Sequence, residues 1–209
     1  LSVFGTMFIP AFLVVEGNIA ATIANVLANG SLYSLSIVCA LLVQVTHIFI
    51  VLLLYKLLKS VNQKMAVLMV IFMLVSIPIT MINELNNYAA LFMAHNASAA
   101  ISSGQMKEMV FLFLNLHEYG ILISSVFWGL WLFPMGYLVY KSHFLPKILG
   151  IVLMVAFFFY VSDSLLSLGI PGYTETTIAQ IMKIPMYGEI LFPLWLLFKG
   201  IKPPLDTAQ

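Results

Sequence analysis

The run SLYSLSIVCALLVQVTHIFIVLLLYKLL, from Ser31 to Leu58, decides which solvent this chain folds in. It holds no Asp, Glu or Arg, and its one lysine, Lys56, stands near its end. About 20 predominantly apolar residues cross the hydrocarbon core of a bilayer as a helix, at about 1.5 Å per residue. This run is long enough to do so. In lipid every backbone N–H and C=O needs a partner within the protein, and a helix supplies those partners inside one segment.

The same pattern repeats on both sides of that run. Spans are expected at about Met65 to Phe92, containing Pro78; Met106 to Tyr140, long enough to tilt or to kink near Pro134; Ile148 to Leu168; and Ile184 to Phe198, whose helix can begin near Thr177. Upstream, Leu1 to Val15 is shorter than a full span. It reads as the outer end of a first helix whose beginning precedes Leu1; a cleaved signal peptide is the rival reading, without the charged start that such a segment carries. The 209 residues are 62% apolar and 8% charged, whereas a soluble domain is about 25% charged. The fold expected is all-α, a single transmembrane domain over residues 1–209 with about six membrane helices, the first truncated.

Composition also excludes function classes. The nine cationic residues are all lysines and are scattered, so no basic patch exists to neutralise nucleic-acid phosphates. Cys39 is the single cysteine and lies in an apolar run, which leaves neither a disulfide framework nor a cysteine metal site. Gly-rich phosphate loops, dinucleotide fingerprints and a nucleophile elbow around Ser124, Ser125, Ser162 or Ser164 are absent. Lysines set the orientation. Lys56, Lys59, Lys64, Lys141, Lys147, Lys199 and Lys202 fall at one side, and only Lys107 and Lys183 at the other. This predicts a multi-pass protein with both ends in the cytoplasm. Two glycosylation-type triplets, at Asn29 and Asn96, fall on the outer side and matter only in a eukaryotic secretory pathway.

An ionisable residue inside a span is costly and marks a functional lead. Glu84, His117, Asp163 and Glu189 are expected on four different spans at similar heights, the first three in the outer part of theirs and Glu189 near the middle of its own, and no lysine shares their depth. Several carboxylates in low dielectric need protonation, hydration or a bound cation. Thr80, Asn83, Glu84 and Asn87 recur at three- and four-residue intervals on one helix face, and His117, Gly120, Ser124, Trp128 and Trp131 share a face of the next. Glu118 points about 100° away from His117, toward Asn115 and Ser125. Together with the pair Gln44 and His47 it reads as structural. Asn83, Asn86, Asn87, Asn115, Ser124 and Ser162 fit interhelical hydrogen bonding. His95 and His143 belong to loops or rims, and Trp128, Trp131 and Trp195 to packing or interfacial anchoring.

Ile82–Asn86, Leu116–Gly120 and, above all, the block from Phe127 to Ser142 followed by Phe144 to Gly150 carry a family resemblance, as does Tyr187–Ile190. Over these motifs the chain resembles a bacterial multi-pass membrane family catalogued as a domain of unknown function. The resemblance covers nearly the whole chain from about Phe4. It implies a bacterial inner-membrane protein and a complete first helix in other members; it transfers no catalytic residue. Its motif positions include Glu84, His117 and Glu189.

Three functions are then weighed. The first is a binding or transport protein whose outer cavity, lined by Glu84, His117, Asp163, Glu189 and Asn83, takes a cation, a proton or a small amphiphile with a cationic group. The second is a metal-dependent hydrolase of a lipid-like substrate, with His117 and two carboxylates holding a divalent metal. The third is a structural subunit whose polar residues lock helices together. The lipid bilayer is the partner common to all three.

Overall fold

The computed structural model describes residues 8–15, 18–95 and 103–200. The described residues form eight α-helices and two short 3-10 turns, with no strand. They are α1 (Ile9–Leu13), α2 (Ile19–Ala28), α3 (Gly30–Leu58), α4 (Gln63–His95), α5 (Ser103–Lys141), α6 (Lys147–Gly169), α7 (Thr177–Met186) and α8 (Leu191–Lys199), with the 3-10 turns at Tyr173–Glu175 and Tyr187–Ile190. Five segments are long and apolar enough to cross a membrane: Gly30–Leu58, Gln63–His95, Gly104–Lys141, Lys147–Gly169 and Thr177–Lys199. These are the five complete spans read from the sequence, and the all-α membrane fold holds.

The sixth, truncated span is not among them. Within Leu1 to Val15 the described residues hold only the short α1; the rest of that run lies outside the described residues. The chain turns extended at Val14 and restarts as α2, where the Asn18 side chain accepts from the Ala21 N–H at 3.0 Å. Side chains satisfy the backbone groups freed at this break. Thr22 Oγ1 accepts from the Val15 N–H at 2.9 Å, and the Asn25 amide donates to the Leu13 carbonyl at 3.2 Å. Irregular backbone at membrane depth needs such partners. Of the small, polar stretch from Asn96 to Gln105, residues 96–102 lie outside the described residues, and α5 has already begun at Ser103.

Two prolines interrupt nothing. Helix α4 continues through Pro78 and α5 through Pro134, so the kink allowed for at Pro134 does not end the helix. The last span behaves differently. Between Pro185 and Pro193 its α-helix tightens into the 3-10 turn Tyr187–Ile190. Proline lacks the N–H that an α-helix donates four residues back, which favours such a break. This span begins at Thr177, where Thr176 Oγ1 caps the Ala179 N–H at 3.2 Å.

The chain divides into two compact units, Leu1–His47 with Ile77–Ile121, and Ile48–Ser76 with Leu122–Gln209. In the first, one apolar cluster joins Ile9, Leu13, Val26, Tyr33, Ile37 and Leu91, and another joins Ile23, Ala90, Ala94 and Val110. In the second, α5 and α6 approach closely through glycines: a Cβ on Gly150 would sit 2.6 Å from the Gly136 carbonyl oxygen and 2.5 Å from the Tyr140 nitrogen. Small residues at membrane-helix contacts permit this. The Phe133 and Phe157 rings pack with centroids 5.3 Å apart. Helix α6 also packs against α7.

Candidate functional site

Helix α4 has its polarity reversed relative to a soluble helix. Thr80, Asn83 and Glu84 are buried, while Ile82 and Leu85, on the opposite face, are about two-thirds exposed. A lipid-facing helix turns its apolar side outward, so its polar stripe must find partners on neighbouring helices. It does so on α3 and α5. Glu84 Oε2 accepts from Asn87 Nδ2 at 2.9 Å, and Asn87 Oδ1 accepts from the Tyr33 hydroxyl of α3 at 2.9 Å. On its other side Glu84 Oε1 lies 3.4 Å from His117 Nε2 of α5. A carboxylate only accepts hydrogen bonds, so the imidazole nitrogen facing Glu84 carries the proton when Glu84 is ionised. The Glu84 side chain is 7% exposed and that of His117 is 20% exposed: the carboxylate is enclosed and the imidazole is its more open neighbour.

Asn83 fixes the backbone around this pair. Its Nδ2 donates to the His117 carbonyl at 2.8 Å, and its Oδ1 accepts from Asn86 at 2.9 Å. Gly120, one turn beyond His117, leaves the space that the Asn83 amide fills: a Cβ there would overlap the amide, with Nδ2 only 2.7 Å away. Glu84, His117 and Asn83 are therefore brought together as the sequence suggests. The site consists of an enclosed acid, an imidazole and oriented amides. It can share a proton between Glu84 and His117 or hold a cation against the carboxylate. Glu84 with His117 is the one side-chain ion pair among the described residues.

Asp163 and Glu189 lie in the other unit, and each is held by a tyrosine. Glu189, on the 3-10 turn of the last span, accepts from the Tyr160 hydroxyl of α6 at 2.7 Å. Buried Asp163 accepts from the Tyr173 hydroxyl at 3.2 Å, and that hydroxyl also lies 3.0 Å from Met182 Sδ on α7. Tyr173 sits in the turn between α6 and α7, where burial and then the Asp163 carboxylate raise its phenol above the ordinary value near 10. Among the described residues no group of three His, Cys, Asp or Glu side chains is placed to hold a metal ion. The donor set imagined for a divalent metal, His117 with two carboxylates, is thus not assembled there.

The remaining sequence leads separate cleanly. Glu118 is exposed, and Asn115 returns its amide to the Phe111 carbonyl of its own helix at 2.9 Å. Gln44 and His47 face each other at 3.5 Å. His95 and His143 are exposed, His95 with its Nδ1 3.1 Å from the Leu91 carbonyl. Trp128 is partly buried, and its indole N–H is buried without a hydrogen-bond partner among the described residues.

Residues 1–200 match a family described as a domain of unknown function, DUF4386. The chain belongs to this family. A relative from Archaeoglobus fulgidus, described as an uncharacterized protein, is 31% identical over 168 residues, covering 80% of this chain and 85% of its own length. No solved structure matches the chain. The membrane-family resemblance read from Ile82–Asn86, Leu116–Gly120 and the Phe127–Ser142 block is therefore correct at the level of family.

Sequence reasoning missed the tyrosines. Tyr33, Tyr160 and Tyr173 are the hydroxyl donors to Asn87, Glu189 and Asp163. Their signal was available: a buried phenol needs an acceptor, and a tyrosine inside an apolar run points to a polar group at its own depth.

Proposed function

We propose that this chain is a binding or transport-type protein of the bacterial cytoplasmic (inner) membrane, with both ends on the cytoplasmic side and its residues working as a single transmembrane domain. Glu84 and His117 are its working pair, in the outer half of the bilayer, and the ligand is a proton or a cation, including a small amphiphile with a cationic group. The observation that carries this reading is the enclosed Glu84 carboxylate with His117 Nε2 at 3.4 Å and no lysine paired to it. A buried carboxylate with only a titratable partner changes its need for a counter-charge as that partner gains or loses its proton. Asn87 holds the Glu84 carboxylate and Asn83 the His117 backbone, so that occupancy changes with little rearrangement. Asp163 and Glu189, each satisfied by one tyrosine, fit helix-locking better than ligand binding. The hydrolase reading calls for three metal ligands together, and no such group is found among the described residues.

The test is thermal unfolding of the purified protein in detergent, with Na+, K+, Mg2+ and tetramethylammonium as probes, from about pH 5 to about pH 8. A ligand at 100 times its Kd adds about 2.7 kcal/mol of stability, well within reach of the measurement. The wild type should be stabilised by at least one probe or by protonation, and Glu84→Gln should abolish that response while keeping the fold. If wild type and Glu84→Gln respond alike to every probe and every pH, Glu84 is a structural hydrogen-bonder and the proposal fails.

A further inference from the structure

A second site lies at the other end of α3. Phe49, Leu52, Leu53, Tyr55, Lys56 and Lys59 line an open groove of about 390 Å³. Phe49, Leu52 or Leu53, Lys56 and Lys59 recur every three to four residues, so they form one stripe, and Phe49 and Lys59 are roughly 15 Å apart along the helix axis. The deeper part of the stripe is exposed and apolar, with Phe49 63% and Leu53 64% exposed. Its rim carries two exposed lysines. Neither lysine forms an ion pair among the described residues, and residues 48–76 contain no Asp or Glu. Along the helix axis the groove, lined by this one stretch of chain, therefore passes from exposed apolar side chains to two lysines without an ion pair among the described residues.

We infer that this groove binds a glycerophospholipid with an anionic headgroup, its phosphate at Lys56 and Lys59 and its acyl chain along Phe49, Leu52 and Leu53. Charge complementarity selects this occupant. A zwitterionic lipid offers the same acyl chain but brings its own cation to the two lysines, and free phosphate leaves the apolar floor uncovered. Lysines at a helix end also set topology, but topology requires no groove, and the alignment of apolar floor with cationic rim is what a lipid adds. The site is independent of Glu84 and His117.

The full-length protein, delipidated in detergent, is titrated with phosphatidylglycerol and phosphatidylcholine of identical acyl chains, and retained lipid is counted by native mass spectrometry. A lysine near an anionic headgroup contributes about fivefold, so the pair predicts a preference of about 30-fold for phosphatidylglycerol. Lys56→Gln/Lys59→Gln should bring that ratio near unity, while Lys107→Gln/Lys183→Gln leaves it unchanged. Phe49→Ala/Leu53→Ala, which keeps both lysines and hence the topology signal, should lower retention of phosphatidylglycerol severalfold. Equal retention of the two lipids by the wild type, an unchanged ratio in Lys56→Gln/Lys59→Gln, equal loss in the control pair, or competition by inorganic phosphate as strong as by the lipid would each overturn the assignment.

Discussion

Gly120→Ala places one methyl group against the centre of the candidate site. The new Cβ would overlap the Asn83 side chain, which is buried and bonded to the His117 carbonyl at 2.8 Å and to Asn86 at 2.9 Å. Either α4 and α5 move apart or Asn83 turns away. Overpacking costs about 1–3 kcal/mol, and leaving a buried amide unpaired costs about 1–3 kcal/mol. Because one relieves the other, the two are alternatives and not a sum. Alanine is the better helix former by about 1 kcal/mol, so the expected net loss is about 0–2 kcal/mol against wild type, and about 1–3 kcal/mol against a glycine-to-alanine change whose new methyl group meets nothing. Equilibrium unfolding in mixed micelles measures it. Gly169→Ala is the control: nothing lies within 4 Å of its added Cβ, and it should be neutral or slightly stabilising. Adding Asn83→Ala to Gly120→Ala removes the group that is struck, so the double variant should be more stable than the sum of the singles by at least about 1 kcal/mol. A Gly120→Ala protein as stable as Gly169→Ala, or strictly additive singles, would refute the packing of Asn83 into the Gly120 gap.

Two further predictions concern the tyrosines. Tyr160→Phe removes the 2.7 Å donor to partly buried Glu189 and should destabilise the protein by about 1 kcal/mol, toward the low end of the cost of leaving an acceptor unmatched; a loss within measurement error would show that Glu189 is satisfied without it. Tyr173 titrates above its ordinary value because the folded state favours the neutral phenol. Its contribution is therefore fully present below about pH 10 and is lost as pH rises toward its folded-state value. Comparison of unfolding midpoints across that window should show a steeper alkaline decline for wild type than for Tyr173→Phe, and parallel curves would contradict the assignment.

How much of this was legible depended on the length scale of the signal. Spans such as Ser31–Leu58 announce themselves because lipid imposes one rule on about 20 consecutive residues, and the observed α3, Gly30–Leu58, differs by a single residue. Thr177 was legible as the start of the last span because Ile184 to Phe198 alone is short for a crossing; the Thr176 cap that fixes that start is seen in the structure. The break between α1 and α2 was not, because it is held by Thr22 and Asn25 reaching back to Val15 and Leu13, contacts that no local pattern prescribes. Similar depth brought Glu84 and His117 under suspicion together, but depth is one coordinate. It cannot say around which seam a side chain points: Glu84 and His117 face each other, whereas the hydrogen bonds of Asp163 and Glu189 go to tyrosines.

Those partners explain why equal burial need not mean equal role. Tyr173 ties Asp163 of α6 to the turn that leads into α7, within reach of Met182, and Tyr160 ties α6 to the 3-10 turn of the last span. Each is a neutral hydroxyl, whose proton does not titrate in the physiological range, and a bond of that kind keeps the same form across ordinary changes of pH. His117 is different. It is an imidazole, the more open member of its pair, and the carboxylate it faces is held from behind by Asn87 and Tyr33. Of Glu84, Asp163 and Glu189, Glu84 alone faces an imidazole and not a phenol, and the function proposed above rests on that difference.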